Sequence, residues 1–553
     1  MSQNSLRFPR RLFVVLTTVT LSLLAAPGCT HRPVYIEPRE RKPIDRRIVD
    51  YPGGAVLEEV VRDLTGPIDC DIDDQGNLIV AESGADGRDP RIIGYRPDGT
   101  NFTIYPVKRT IVFPFDVIKL GFRIYGRVGG IVVGNGKVYV SHRDEDGMGV
   151  ITAFNYDGTH ETIVSNLPAR GDNQMSDLAL RSNGRLWFGV GSATNSGVVG
   201  MDNWNWVKKY PDFADRSFVD LKLNGYHFKS KNPDAGLFGG PEIAVTAPFQ
   251  PFNVSSQTRI RANELPTGAI YSVDASGGGR RVEAHGIRAP RGMALTALGT
   301  LYMTAGGMEL RGTRPIKDDP DAMLRVTQST WYGFPDFSTD LVPITDQRFQ
   351  LTGDMRLLLI KSGYDEISFL IDRNASNQGQ GLVEPVRSTL LAATFPPLSG
   401  AERFDFVPKQ GPLRQYFGHA IVPLSGDRHP FATSGRKLVE RSGFKVVRVD
   451  TSSRGEVVDF IRNAKNLPAS MLPAGDGLLE RPVAVKFAPD GSLYIVDFGE
   501  LTVRDGREKV KPQTGRVYRL RAMSSAATTT ATTKPVTSTT RPVDRPASAP
   551  ARE

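Results

Sequence analysis

The chain has 553 residues, 39% hydrophobic and 23% charged, with 56 glycines, 39 prolines and a formal net charge of +9. This is a globular, turn-rich composition that excludes collagenous, long-helical or wholly disordered proteins. The charge is thinly spread, since Arg7, Arg10 and Arg11 and the tail after residue 522 carry much of it; with no zinc-finger, RNP or basic-aromatic pattern, nucleic acid is not expected as a partner.

Taken in chain order, the three arginines precede an apolar run from Leu12 to Ala26 that ends at Pro27-Gly28-Cys29. A charged lead and a short apolar stretch predict a secretory signal over 1–28, too short for a stable membrane span. A cysteine directly after Gly28 resembles a bacterial lipobox, although Ala26-Pro27 departs from the usual lead. Lipidation of Cys29 would anchor the exported protein to a membrane of the bacterial cell envelope, facing the periplasm. The second cysteine, Cys70, then has no disulfide partner; in the apolar segment 68–72 it reads as a small core residue. No Cys-x-x-Cys-His run exists, so the chain carries no c-type haem. Residues 29–55 read as a charged tether and 523–553 as a disordered Thr/Ala/Pro-rich tail, leaving 56–522 for the folded body.

Six hairpins recur in that body, each an apolar strand, a Gly-containing turn and a second apolar strand. They span 68–82, 130–142, 175–190, 291–305, 403–423 and 482–498, with turns at Gly76, Gly136, Gly184, Gly299, Gly411 and Gly491. Asn-Gly and Asp-Gly turns supply the positive φ that tight hairpins need. Further strand signals follow most of them, as at Ile92-Ile93 and Val446-Val447. The pattern predicts an all-β, six-bladed β-propeller whose neighbouring blades bury each other's apolar faces. Segments 193–266 and 308–400 are too long for simple loops and are expected as insertions over one face. Two β-sandwich domains are the alternative, but they predict no sixfold recurrence.

Several phrases resemble the quinoprotein glucose/sorbosone dehydrogenase family. They are Gln174-Met175-Ser176-Asp177-Leu178-Ala179, Gly191-Ser192-Ala193-Thr194-Asn195, Gly286-Ile287-Arg288-Ala289-Pro290-Arg291-Gly292, Trp331-Tyr332-Gly333-Phe334-Pro335 and Arg481-Pro482-Val483-Ala484. The resemblance runs from about residue 60 to 522 and implies a propeller that binds pyrroloquinoline quinone and calcium. It implies oxidation of a sugar or polyol hydroxyl, or an aldehyde, with electrons passed to a separate carrier. Such chemistry needs a base for the O–H proton and cationic donors for the quinone's carboxylates. The resemblance assigns one donor to Arg288; Arg481 sits at the equivalent entry of the last blade, where an arginine immediately before an inner strand is expected to point towards the central funnel, and Arg448, within a strand, is a weaker choice. Salt bridges at the propeller rim are the plain alternative for Arg288 and Arg481.

The family's histidine base falls on Asn173, which cannot accept a proton at neutral pH. Asp172 beside it is the substitute, and His142, at the end of a strand, is another. Ser176, Ala289, Ala305-Gly306-Gly307 and Leu398-Ser399-Gly400 also replace polar residues that the family pattern expects. The rival function is therefore a catalytically degraded propeller that binds glycan or a cell-envelope partner. A lactonase would need a carboxylate cage, for which Asp69 and Glu82 are thin grounds. Asp71-x-Asp73-x-Gln75-Gly76 nearly fits a calcium loop, but Leu78-Ile79-Val80 reads as a strand, so no metal ligands are assigned.

Overall fold

The computed structural model describes residues 32–106, 122–233, 235, 242–253, 257–438, 440–452, 455–504 and 507–523. The expected signal, Cys29 and the tail from 524 lie outside the described residues. Among the described residues no helix is long and apolar enough to cross a membrane.

Six antiparallel sheets encircle one axis. Their innermost strands are Pro67–Ile72, Tyr125–Gly134, Met175–Leu180, Pro290–Leu295, Asp405–Phe406 and Pro482–Phe487, heading blades 1 to 6. The sixfold expectation holds, hairpin for hairpin. At Asn135-Gly136 both residues have positive φ (53° and 71°), which gives the two-residue turn its hairpin twist. Blade 6 is closed by the other end of the chain: Ala55–Leu64 pairs with Gly515–Ala522 as its outer strand.

Two expectations need correction. Residues 32–55 are not a free tether. Val34–Tyr35 pairs with the outer strand of blade 6, and Val49–Asp50 adds an edge to blade 5. Outer strands offer unpaired N–H and C=O groups, and these short segments cover them. The segment 308–400 is not all insertion either, because Pro320–Arg325 and Leu391–Pro397 are the third and fourth strands of blade 4. Its intervening residues climb beside blade 3, where Thr330–Trp331 pairs in parallel with Arg281–His285. The first insertion is as expected: 191–268 leaves between the second and third strands of blade 3 and forms two small sheets of its own.

The apolar core lies between blades. Ile79, Ala81 and Ile92 of blade 1, for example, pack on Ile131, Val138 and Val140 of blade 2. Each fully buried aliphatic side chain of this kind contributes roughly 1.5–3 kcal/mol. Cys70 belongs to the core between blades 6 and 1, as expected.

Nearer the axis, aspartates stitch blades in pairs. Asp69 accepts from Ile131 N at 2.8 Å, Asp177 from Met293 N at 3.0 Å and Asp405 from Phe487 N at 2.9 Å. Odd blades thus hold the next blade's inner strand. The receiving strand must come close, and a Cβ on Gly130, next to Ile131, would stand 3.3 Å from Asp69 Oδ2. Five of the inner strands also carry a register shift near their heads. Such bulges re-aim side chains at the axis.

Candidate functional site

The heads of the inner strands surround an axial funnel with a cavity of about 590 Å³. Ile68, Val128, Met175, Pro290 and Arg403 each reach it from a different blade, and Phe498 completes the ring from blade 6. Six arginines line it: Arg127, Arg143, Arg291, Arg403, Arg428 and Arg507. The acidic lining is Asp86, Asp172, Glu402 and Glu508.

Three of those carboxylates are clamped by arginine. Glu402 takes Arg291 Nη1 at 2.7 Å and Arg403 Nη1 at 3.2 Å. Glu508 bridges Arg127 and Arg428, the latter at 2.9 Å. Burial works against the Glu508 charge, but Arg428 and Arg127 outweigh it and hold its pKa down to about 2. Asp172 accepts from Arg311 Nη2 at 2.7 Å and from Asn203 Nδ2 at 3.0 Å.

Arg143 has no bonded carboxylate among the described residues. Arg143 donates to the carbonyls of Ala169 and Gly171 and lies over Trp206, which comes from the long insertion. Burial, then neighbouring Arg127, pulls the Arg143 pKa down, the signature of a positive charge short of a counter-charge. At the floor, Arg403 Nε, Ser176 Oγ and Gln174 Oε1 are buried with no hydrogen-bond partner among the described residues. Buried polar atoms are nearly always satisfied, so three orphans in one funnel point to a ligand or ordered water.

Below the floor, Lys486 stands in the channel 3.2 Å from Asp71. Burial opposes its charge, but Asp71 and Asp405 prevail and hold its pKa up. Burial pushes Asp69 well above the carboxylate range and Asp177 up to about 6, against the pull of Arg403.

The predicted residues divide sharply. Asp172 and Asn173 do line the funnel, and Asn173 Nδ2 donates to Ser192 Oγ at 3.1 Å. Arg288 and Arg481 do not converge on it. Arg288 is buried behind the wall, with Nε on Asn195 O at 2.9 Å, Nη2 on Asn195 Oδ1 at 2.9 Å and Nη1 on Gly306 O at 3.3 Å. It pins the 192–197 loop to blade 4. Arg481 spends Nη1 on the carbonyls of Ser425, Gly426 and Asp427 and packs over Phe444. Arg448 lies on the third strand of blade 5, over Tyr416 and 2.7 Å from His419 Nδ1. His142 is buried on Thr152 Oγ1 at 2.8 Å, and burial lowers its pKa to about 4. The discounted calcium loop is a turn: Asp73 Oδ1 accepts from Gln75 N and Asn77 N. Glu82 is held by Arg91 and Thr65 N, and among the described residues it gathers with Asp69 in no group of three carboxylate, His or Cys side chains.

Sequence reasoning missed Arg291 and Arg403 narrowly. An arginine placed immediately before an inner strand need not face the axis, since Arg481 directly precedes Pro482 yet turns to the carbonyls of 425–427; in blade 4 the bulge between Pro290 and Met293 brings Arg291 to the funnel instead. Arg127, Arg143, Arg428 and Arg507 carried no motif. Arg311, behind the wall, is bound by Asp172, Asp202 at 2.6 Å and Glu309 at 2.5 Å. One guanidinium there meets three carboxylates. Burial pushes Asp202 up to about 6, while Arg311 and Arg288 overcome burial to hold Glu309 down to about 2.

No protein-family model matches the chain, and no curated protein matches it. Among solved structures, one similar in fold is the iodide structure of a Trichoderma reesei carbohydrate-active enzyme of family AA12. It is 13% identical, covers 86% of this chain and 98% of that one, and has a TM-score of 0.47. The holo pyranose dehydrogenase PQQ domain from Coprinopsis cinerea is 14% identical over 87% and 98%, also at 0.47. The PQQ-bound aldose sugar dehydrogenase from Streptomyces coelicolor is 12% identical over 85% and 99%, at 0.42. The assignment of six blades stands independently on the strand pairing.

Proposed function

We propose that the axial funnel binds a small polycarboxylate of the pyrroloquinoline quinone type. On this reading the protein is an exported quinoprotein-type dehydrogenase for a sugar or polyol hydroxyl, or an aldehyde. The observation that carries it is the ring of arginines around about 590 Å³ of space, with Arg403 Nε and Ser176 Oγ lacking a hydrogen-bond partner at its floor among the described residues. Guanidinium forks suit planar carboxylates. Arg127, Arg143, Arg428 and Arg507 would hold the carboxylates, and Arg403 would face the polarised end. When bound, such a quinone supplies a hydride acceptor.

Asp172 is the proton acceptor on this reading. Arg311 shares its charge among three carboxylates, so it neutralises Asp172 only in part. The second reading is a binder without turnover, for glycan or a cell-envelope partner. It is favoured by Asn173 at the base position and by the arginine clamps on Asp172, Glu402 and Glu508. Calcium has a thinner donor set: among the described residues no three His, Cys, Asp or Glu side chains gather as a metal site. A hard cation would draw on neutral oxygens such as Gln174 Oε1 and on the ligand's own carboxylates.

Export and anchoring through Cys29 belong to the same proposal, as does a separate electron carrier. The test is titration of purified apo-protein with pyrroloquinoline quinone, with and without calcium, followed by dye reduction with a panel of sugars. Saturable uptake with turnover supports the dehydrogenase. Uptake without turnover, together with glycan retention on an array, supports the binder. No uptake overturns the funnel as a quinone site.

A further inference from the structure

The strands Leu501–Arg504 and Arg507–Val510 form a hairpin between the second and third strands of blade 6. Its Glu508 reaches the funnel, and its two oxygens go to different blades. Oε1 accepts from Arg428 Nη1 of the blade 5 loop at 2.9 Å, and Oε2 from Arg127 Nη2 of the blade 2 inner strand. The Glu508 side chain is only 13% exposed, whereas Arg127 and Arg428 keep 38% and 39% of theirs open. Each guanidinium offers five N–H donors, and Glu508 engages one on each. Among the described residues, Arg143 nearby has no bonded carboxylate, and Arg403 Nε and Ser176 Oγ below have no hydrogen-bond partner. A protein carboxylate therefore covers one end of a donor-lined cavity whose other end is unsatisfied.

We propose that Arg127 and Arg428 form a carboxylate subsite of the funnel and that Glu508 is its built-in occupant, displaced when a ligand carboxylate arrives. The inference rests on the anion-binding reading of the funnel and narrows it. The ligand is a rigid small molecule with carboxylates at separated corners, one for the Arg127–Arg428 pair and another for the floor. A neutral sugar alone does not displace Glu508, because it brings no charge to replace the one removed.

The test is calorimetric titration of the full folded protein with pyrroloquinoline quinone and with benzene-1,3,5-tricarboxylate, a redox-inert probe. Glu508→Gln should tighten both at least tenfold, because the competing charge is gone. Arg428→Gln should weaken both at least tenfold, and in the double variant the Glu508→Gln gain should vanish, since the two residues act on one subsite. Glu508→Asp, one methylene shorter and unable to span both arginines, should tighten binding as well and guards against a folding defect peculiar to the first variant. Glutamine at that position binding no tighter than the wild type, while the wild type binds the probes, overturns the displacement proposal and leaves the funnel reading standing. A gain that survives removal of Arg428 overturns it too. Failure of all variants and the wild type to bind either probe overturns the funnel reading and this subsite together.

Discussion

Arg403, at the head of blade 5, donates through Nη2 to the carbonyl of Gly129 in blade 2, on the far side of the propeller axis. Its Nε lies 3.8 Å from Asp69 of blade 1, and its Nη1 pairs with Glu402. One side chain thus closes the funnel floor and offsets the negative charge beneath it. Arg403→Leu should destabilise the fold by about 3–5 kcal/mol, since buried Asp69 and Asp177 lose their counter-charge. Urea denaturation would register the loss, and an unchanged midpoint would refute the role.

Arg288 should behave as a structural residue. Its guanidinium anchors Asn195 and Gly306, so Arg288→Ala should lower stability by a few kcal/mol. Arg143→Gln, which gives up bonds to the Ala169 and Gly171 carbonyls, should lower the melting temperature less than Arg288→Ala does and weaken polycarboxylate binding about tenfold. Parallel melting and calorimetric curves separate the two effects. Selective loss of binding on Arg288→Ala, with full stability, would return Arg288 to the site.

Stability should peak in mild acid. Burial raises Asp177 to about 6 and Asp319 to about 7 in the folded state, above the unfolded value of about 3.9. A raised carboxyl binds its proton more tightly in the folded chain, so its stabilising contribution is complete at low pH and is lost as pH rises through 6 and 7. Glu309 and Glu508, held down to about 2 by their arginines, act oppositely and lose their contribution as pH falls through about 4.5 towards 2. The melting temperature should therefore climb from pH 8 to about 5 and decline below 4. Asp319→Asn should flatten the upper part of the curve. A melting temperature that falls steadily between pH 8 and 5 would contradict the assignment.

Asn173→His tests whether the funnel is an enzyme site lacking only its base. Asn173 lies against the cavity beside Asp172. If quinone binds, an imidazole there should raise dye reduction by about a hundredfold or more, with a rate that grows as pH rises through the imidazole range. Uptake of quinone without any gain in turnover would favour the binding role.

Cys29→Ser should move the protein from the membrane fraction to the soluble periplasmic fraction and abolish labelling by radioactive palmitate. Unaltered fractionation would remove the lipid anchor from the proposal.

Much of the architecture was legible because it repeats. Six apolar–turn–apolar units, with Gly76, Gly136 and Gly184 among their turns, follow local rules that a linear chain displays. The short strands Val34–Tyr35 and Val49–Asp50 were not legible, since two residues give no periodicity and only a distant exposed edge makes them strands. Asp172 and Asn173 were found because the family resemblance places its base there, on a loop that leads directly into the inner strand of blade 3. The arginines lining the funnel were not, because facing the axis depends on bulges and on loops from several blades meeting in space. Arg291, inside the bulge between Pro290 and Met293, turns to the funnel, whereas Arg288, two residues before it, turns behind the wall. The local pattern specified how many blades there are and where each begins; convergence of charges on the axis was decided only when those blades closed into a ring.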